Sequence, residues 1–224
     1  MPAPPERPTR GRSHPARDPF ASDEIAGLGR LLGVERVDAG TPLLRQGEPV
    51  GHVGVIVAGD VELRHRHGEH QVVVQVLHPG EVYGDTALLC GVPMPQSARA
   101  QTRAAIVQIP PEVFWRLVEQ RPELCRRLLV SLATRLERSQ RRLHAVTSGD
   151  LGQQVASVLL DEAGDTAGEV RLTQATIAQL IGSTRPSVNR ALKQLATAGH
   201  LELGYGRLEV VDPVGLRGVV DCCR

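Results

Sequence analysis

The chain is poor in aromatic residues, which make up only 2% of its 224 positions. Because 41% of the residues are still hydrophobic, any core must be built from aliphatic side chains. No apolar run approaches the ~18 residues that a membrane-spanning helix needs. The N-terminus is rich in Pro and Arg and lacks the apolar block of a secretion signal, so we expect a disordered tail over residues 1–20 and a cytoplasmic protein with no membrane partner.

Cysteine and lysine are also scarce. The four cysteines, Cys90, Cys125, Cys222 and Cys223, show no CxxC spacing, so neither a zinc site nor a disulfide framework is indicated. A thiol sensor stays open as an alternative for them. Lys193 is the only lysine, and the net charge is only +1. A nucleic-acid partner would therefore have to be held by a local cluster of basic residues.

The segment TQATIAQLIGSTRPSVNRALKQL, residues 173–195, contains such a cluster. Apolar residues at spacings of three and four predict a first helix that ends at Gly182. Thr184 as N-cap and Pro186 in the first turn predict the start of a second helix. Its outer face is formed by Arg185, Pro186, Asn189, Arg190 and Lys193. Such a face is typical of a helix that enters the major groove of DNA, and an ordinary amphipathic hairpin is the alternative.

The flanking regions have distinct patterns. Helices are predicted at residues 22–32, across 110–147, at 151–163 and after Pro213. Short β-rich runs punctuated by Gly and Pro between residues 36 and 110 predict a sandwich, barrel or jelly roll. A strand is predicted at residues 170–172, and the runs LEL and RLEVV after Gly199 predict the hairpin that forms a wing beside a helix-turn-helix.

The second part of the 110–147 segment has a heptad pattern. Its seam residues follow each other at alternating spacings of four and three: Cys125, Leu129, Leu132, Leu136, Ser139, Leu143 and Val146. A stripe of two residues in seven is narrow for a helix that lies on its own domain. It favours pairing with a second copy of the chain, and packing on the β-rich region is the alternative.

These motifs, in this order, resemble those of the CRP/FNR family, which includes the cyclic-AMP receptor protein and the fumarate–nitrate reductase regulator. The segment LTQATIAQLIGSTRPSVNRAL is similar to the family's signature around its DNA-reading helix. The segment AGTPLLRQGEPVGHVGVIVAGDVEL is similar to its first β strands, and HPGEVYGDTALL to the turn that opens its ligand cassette. The resemblance covers about residues 22–220.

The resemblance implies an α+β fold with an N-terminal cyclic-nucleotide-binding-type β jelly roll, a long dimerisation helix and a C-terminal winged helix-turn-helix. The implied domains are a disordered tail at 1–20, a jelly-roll sensor at 21–115, the dimerisation helix at 116–147 and the DNA-binding domain at 148–224. The implied function is that of a homodimeric, sequence-specific transcription regulator, not an enzyme. Its partners would be double-stranded DNA with a near-palindromic site and RNA polymerase.

The recognition helix implied by the resemblance spans residues 185–198. The family presents an Arg, a Glu and, four residues after the Glu, another Arg to base edges; Arg185, Pro186 and Arg190 stand at these positions. Both arginines can bond guanine, but Pro186 offers no acceptor, so the half-site preference of the cyclic-AMP receptor does not transfer. Asn189 can read adenine instead.

Three other candidates lie near helix N-termini and are better placed for phosphate: Thr173, Gln174 and Ser183. The full set of candidate DNA-binding residues is Thr173, Gln174, Ser183, Arg185, Ser187, Asn189, Arg190 and Lys193.

The resemblance also locates a candidate effector pocket, at Gly84, Asp85, Thr86, Ser97, Ser139 and Gln140. Members that bind cyclic AMP hold the ribose with a Glu after a Gly, and the phosphate with an Arg before a Ser. Depending on the gap, Met94 or Gln96 stands at the Arg position, and neither is charged. Cyclic AMP is therefore disfavoured, because a buried phosphate needs a cation. Arg99 can substitute only if the register shifts.

Two features of the candidate pocket stay open. Ser139 stands where the family's long helix touches nucleotide, and it is equally well explained as a seam residue. The pattern SARA resembles the branch of the family that senses gases, redox state or nothing. An iron–sulfur cluster is not expected, because the N-terminal tail lacks the cysteines of that branch's cluster-binding members.

Two other classes of function are alternatives to this interpretation. Gly59 followed by His65 and His67 is similar to the opening of a cupin metal motif, but Gln71 and Val72 stand where the motif needs a Glu. We therefore expect no metal site, and a cupin-like metal-dependent enzyme is the weaker alternative. The other alternative is a nucleotide- or redox-gated regulatory module whose C-terminal domain binds protein.

Overall fold

The computed structural model describes residues 18–68, 70–148, 150–163, 167–204 and 207–221. The chain forms two compact units, Met1–Thr134 and Arg135–Arg224, and the division between them falls inside a long helix.

The N-terminal unit is a β-rich domain with helices before and after the strands. Its elements in chain order are α1 (Ser22–Leu32), β1 (Glu35–Val37), β2 (Pro42–Leu44), β3 (Val53–Ala58), β4 (Val61–His67), β5 (His70–Leu77), β6 (Val82–Tyr83), α2 (Asp85–Cys90), β7 (Ser97–Ala100), β8 (Ala104–Ile109), α3 (Pro111–Gln120) and α4 (Pro122–Ser148). The predicted helix at 22–32 is confirmed at both ends.

The strands form two antiparallel four-stranded sheets, ordered β1-β8-β3-β6 and β2-β7-β4-β5. One buried cluster takes side chains from both sheets, including Ile56 and Ile106 from the first and Leu77 and Ala98 from the second. The two sheets therefore face each other across an aliphatic core, as the predicted jelly roll requires.

A second buried cluster lies where helices cover the β1-β8-β3-β6 sheet. Phe114 of α3 and Leu124 and Leu128 of α4 pack there against strand residues such as Val53 and Val107. The start of α4 is also fixed by polar contacts, because Arg127 donates from Nε to the carbonyl of Pro19 at 2.8 Å. One face of the first turns of α4 is thus buried against its own domain.

The predicted helical stretch 110–147 is divided into two helices. α3 ends at Gln120 and α4 begins at Pro122. Proline is favoured in a first helical turn and disfavours helical conformation in the residue before it, which explains why Arg121 separates the two helices.

The C-terminal unit has a helical core with a small sheet. Its elements, after the second half of α4, are α5 (Leu151–Ala163), β9 (Gly168–Val170), α6 (Gln174–Leu180), α7 (Arg185–Thr197), β10 (Leu201–Gly204), β11 (Arg207–Val210) and α8 (Pro213–Asp221). The sheet is antiparallel in the order β10-β11-β9. The predicted winged helix-turn-helix is confirmed, although the strand predicted at 170–172 lies two residues earlier.

One buried cluster holds this unit together. It joins Leu159 of α5, Ile177 of α6, Leu192 of α7 and Leu216 of α8, each fully buried. Among the residues that the structure describes, no helix combines the length and the apolar character needed to span a lipid bilayer.

Candidate nucleic-acid interface

The two helices of the helix-turn-helix begin at hydroxyl caps. The Thr173 side chain accepts a hydrogen bond from the backbone N–H of Thr176 at 3.1 Å. Thr184 caps α7 in the same way, accepting from the N–H of Ser187 at 3.4 Å. Between the helices Gly182 adopts a φ of 64°, a left-handed conformation that glycine takes without strain. The sequence therefore sets the start of each helix and the turn between them.

The two faces of α7 have opposite character. Its buried residues are Val188, Ala191, Leu192 and Leu195. Its exposed residues include Arg185, Pro186, Arg190 and Lys193, while Ser187 and Asn189 are half-buried. Within the described ranges, no ion pair or side-chain hydrogen bond engages the basic groups of Arg185, Arg190 and Lys193. The predicted basic face is thus exposed.

The remaining candidates lie around the start of α6 and the turn. Thr173 is exposed, and Gln174 and Ser183 are half-buried. The structure adds a contact that the sequence did not predict: Asn189 donates from Nδ2 to Oε1 of Gln174 at 3.1 Å. This hydrogen bond connects the first turn of α6 with the outer face of α7.

The base of the wing is fastened to α8 by a polar cluster. His200 Nδ1 lies 3.0 Å from Asp212 Oδ2, and the backbone N–H of Gly215 donates to Asp212 Oδ1 at 2.9 Å. The Gly215 hydrogen bond, together with that of His200, lowers the pKa of Asp212 below its usual value of 3.8. Residues 205–206, in the predicted wing segment GYG, lie outside the described residues.

The heptad seam of α4 is exposed in the single chain. Leu129, Leu136 and Leu143 are 61%, 60% and 62% exposed. Leu132 and Cys125 are half-buried, and Ser139 is exposed; the side chain of Val146 lies outside the described residues. Because Leu124, Leu128 and Ser131 form the buried face of the same helix, the seam is a separate apolar surface.

Comparison with known proteins matches both units. The family model described as "Cyclic nucleotide-binding domain" matches residues 34–121. The family model described as "Crp-like helix-turn-helix domain" matches residues 153–219. The second range contains the whole of α6 and α7.

Similarity to a characterised regulator extends over nearly the whole chain. The chain is 34% identical, over 89% of its length and 81% of the relative's, to the HTH-type transcriptional regulator Cmr of Mycobacterium tuberculosis. This chain belongs to the CRP/FNR family of transcriptional regulators. It is also 29% identical, over 80% of its length and 84% of the relative's, to the CRP-like cAMP-activated global transcriptional regulator of the same species.

Solved structures of the CRP/FNR family share the fold. FixK2 from Bradyrhizobium japonicum superposes with a TM-score of 0.70 at 20% identity, covering 85% of this chain and 98% of that chain. A CRP/FNR family regulator from Thermus thermophilus superposes with a TM-score of 0.63 at 23% identity, covering 84% of this chain and 98% of that chain. These similarities support the fold, a jelly roll and a winged helix-turn-helix.

The segment predicted to open the family's ligand cassette forms the turn before α2 and its first residues. Gly84 has a φ of 83°, and a Cβ there would lie 2.8 Å from the carbonyl oxygen of His52, so this turn requires glycine. Asp85 is buried and Thr86 is exposed. Ser139 and Gln140, the other helix candidates for the pocket, occupy exposed positions of α4 in the C-terminal unit.

The two positions predicted to correspond to the family's phosphate-binding Arg, Met94 and Gln96, carry no charge. Met94 is buried in the aliphatic core between the sheets. Ser97 accepts a hydrogen bond from the backbone N–H of Gln46 at 3.0 Å, so a lone pair of its hydroxyl is already used. Ala98 and Ala100 are buried, whereas Arg99 between them is exposed and donates to the carbonyl of Gly40 at 2.8 Å. The register that would turn Arg99 inward is therefore not the observed one.

One titratable pair lies beside this cassette. His52 Nε2 lies 3.3 Å from the hydroxyl of Tyr83, and the two rings meet edge to face. Burial lowers the pKa of His52, although the charge of Glu35 opposes this shift. Burial also raises the pKa of Tyr83, and Glu35 adds to that shift. Both side chains are therefore neutral near pH 7.

The histidines and cysteines do not form a cluster in the described part of the chain. His65 is exposed and its Nδ1 lies 3.1 Å from the carbonyl of Pro95. Among the described residues, no group of three or more metal-ligating side chains is present. Cys90 is exposed and Cys125 is half-buried, and Cys222 and Cys223 lie outside the described residues.

Proposed function

We propose that this chain acts as a homodimer that binds DNA sequence-specifically and regulates transcription, and that it is not an enzyme. The observation that carries the proposal is the outer face of α7, where Arg185, Arg190 and Lys193 are exposed beside a fully buried apolar face. A cationic helix face whose basic groups form no ion pair with another described residue suits the negatively charged major groove.

The residues of this surface divide into two roles. Arg185 and Arg190 read guanine O6 and N7, and Asn189 reads an adenine. Groups near the helix N-termini and the turn hold phosphate oxygens: Thr173, Ser183 and Ser187. Gln174 lies beside Asn189, from which it accepts a hydrogen bond. Lys193, two turns into α7, adds a cationic contact. With Pro186 where the family has Glu, the operator differs from that of the cyclic-AMP receptor.

The exposed seam of α4 supports pairing of two chains. Its leucines recur at heptad spacing, and Leu129, Leu136 and Leu143 are each about 60% exposed in the single chain, so a parallel copy of the helix across a twofold axis would bury them. Twofold symmetry then presents two α7 helices to successive major grooves and selects a near-palindromic site. As in the family, we expect the bound dimer to work with RNA polymerase in the cytoplasm.

The proposed domain organisation has four regions. It consists of a tail at 1–20, a jelly-roll sensor at 21–115, a dimerisation helix at 116–147 and a DNA-binding domain at 148–224. The sensor is not gated by cyclic AMP, because Met94 and Gln96 carry no charge and Arg99 faces Gly40. It scaffolds the dimer or responds to a different effector.

The proposal is tested by selecting binding sites for the full chain from a library of random double-stranded DNA. We expect enrichment of a near-palindrome whose half-sites are centred about one helical turn, roughly 34 Å, apart. A variant carrying both Arg185→Ala and Arg190→Ala serves as the control and should enrich nothing. Failure of the natural chain to enrich any sequence, with or without a cell extract as a source of effectors, would contradict the proposal.

A further inference from the structure

The contact between Gln174 and Asn189 carries an inference beyond the assignment of a DNA-binding surface. Gln174 is the first residue of α6, and Asn189 lies one turn inside α7. Their side chains meet through the hydrogen bond from Asn189 Nδ2 to Gln174 Oε1 at 3.1 Å. We propose that Gln174 is a positioning residue that sets which base Asn189 can read, and that this base is adenine.

Both residues of this contact lie on helices whose backbone is held in place by other contacts. The helix that carries Gln174 starts at the Thr173 cap, whose hydroxyl also lies 2.9 Å from that of Thr176. The helix that carries Asn189 is anchored by Val188 and Leu192, which are fully buried. Because neither helix can rotate without breaking these contacts, the hydrogen bond restrains the side-chain amide of Asn189 and not the backbone.

The chemistry of the amide explains why the restraint matters. Adenine is recognised when one amide donates to N7 and accepts from the N6 amino group. The Asn189 nitrogen carries two hydrogens, and Gln174 uses one of them. The second hydrogen and the oxygen Oδ1 remain for the base. In the observed orientation the Gln174 carbonyl oxygen faces the nitrogen end of the Asn189 amide, so the oxygen end is left for the base.

The position of Asn189 on α7 suits this role. Arg185, Asn189 and Lys193 follow each other at a spacing of four residues and therefore lie along one face of the helix. Asn189 is half-buried, whereas its two basic neighbours are exposed. The neighbours can hold the helix in the groove by charge while the restrained amide supplies base selection.

This inference rests on the proposed function, and it makes a claim that a phosphate contact would not. A phosphate contact from Gln174 would strengthen binding to all DNA sequences equally. A positioning role affects discrimination between bases at one position of each half-site. Gln174 acts through Asn189, so its effect on discrimination should vanish when Asn189 is absent.

The test uses the selected site and a set of derivatives in which the base pairs are replaced one position at a time. Dissociation constants are measured for the natural chain, Gln174→Ala, Asn189→Ala and the double variant. Gln179→Ala, which changes an exposed glutamine of the same helix, is the matched control. Circular dichroism establishes that each variant is folded.

We expect Asn189→Ala to lose about tenfold discrimination in favour of adenine at one position. Gln174→Ala should lose most of that discrimination at the same position, with binding to random DNA unchanged, and the double variant should match Asn189→Ala. Gln174→Glu retains the acceptor, so it should keep the preference for adenine while its charge weakens binding to every sequence. Gln179→Ala should behave as the natural chain does.

Three results would overturn the inference. One is an equal loss on all sequences with Gln174→Ala, which identifies a phosphate contact. Another is an unchanged base profile with Gln174→Ala. The third is an unchanged profile with Asn189→Ala. If the natural chain binds no DNA, the proposed function itself fails, so the two failures are distinguishable.

Discussion

Arg141 and Asp161 form an ion pair that fastens the second half of α4 to α5. Nη1 of Arg141 lies 3.5 Å from Oδ1 of Asp161, and only 3% of the Asp161 side chain is exposed. Arg141 also donates from Nη2 to Glu137 one turn earlier at 3.0 Å. The buried carboxylate of α5 is thus compensated by a guanidinium from the second half of α4.

We expect Arg141→Ala to lower the free energy of unfolding of the C-terminal unit by about 2 kcal/mol, because it removes a charged partner from a buried carboxylate. Urea denaturation followed by circular dichroism measures this loss. Arg126→Ala is the control, since Arg126 pairs with Glu123 on an exposed surface and its loss should leave stability unchanged. Equal stability of Arg141→Ala and the natural chain would show that this pair does not anchor the unit.

The seam of α4 gives a prediction about assembly. Leu136→Glu should convert the dimer to a monomer, because it places two carboxylates opposite each other in an apolar interface. Val130→Glu is the matched control, since Val130 is exposed on the same helix but lies outside the heptad seam. Sedimentation equilibrium measures the oligomeric state of each variant, and we expect Val130→Glu to remain a dimer. A Leu136→Glu variant that still sediments as a dimer would contradict dimerisation through the seam.

The polar cluster at the base of the wing predicts a pH dependence. The pKa of Asp212 is lowered in the folded state, chiefly by the Gly215 N–H. Its contribution to stability is therefore complete above the unfolded pKa of 3.8 and is lost as pH falls through the lower folded pKa.

The matched comparison uses Asp212→Asn. The stability difference between this variant and the natural chain should be constant near neutral pH and should shrink as pH falls below about 4. Denaturation of both proteins at a series of pH values measures this difference in stability. A difference that stays constant down to the lowest pH at which both proteins fold would contradict the assigned shift.

The residues at the predicted phosphate-binding position of the jelly roll indicate that the chain does not respond to cyclic AMP. Met94 is buried among aliphatic side chains and the Ser97 hydroxyl accepts a hydrogen bond from Gln46, so neither residue supplies the cation that a buried phosphate needs. Cyclic AMP at millimolar concentration should therefore leave the melting temperature and the DNA affinity unchanged. A cyclic-AMP-dependent member of the family serves as the positive control. A rise in the melting temperature of this chain would show that the phosphate is held by another group.

The sequence was sufficient for those parts of the molecule that depend on local patterns. The helix at 22–32 and the hydroxyl caps of α6 and α7 follow from neighbouring residues and agree with the structure. The exposed face of α7 was predictable for the same reason, because helical periodicity alone assigns each residue to a face.

Contacts between distant residues were not predictable in this way. The hydrogen bond between Asn189 and Gln174 joins residues that are 15 positions apart, and it depends on how α6 packs on α7. The outward orientation of Arg99 likewise depends on the register of β7 against β2 and β4. The strand predicted at 170–172 is shifted because its pairing with β11, and not its own composition, sets its limits.

Recognition of base edges by the outer face of α7 is the central feature of the proposed function. Fluorescence anisotropy with Arg190→Ala, on the selected site and on a scrambled duplex of equal length, tests this directly. Arg126→Ala, which removes the same charge far from α7 in sequence, is the control. We expect Arg190→Ala to cost about 1–3 kcal/mol on the selected site and little on the scrambled one. An equal loss on both duplexes would show that Arg190 contacts only the phosphate backbone and would contradict base recognition by this helix.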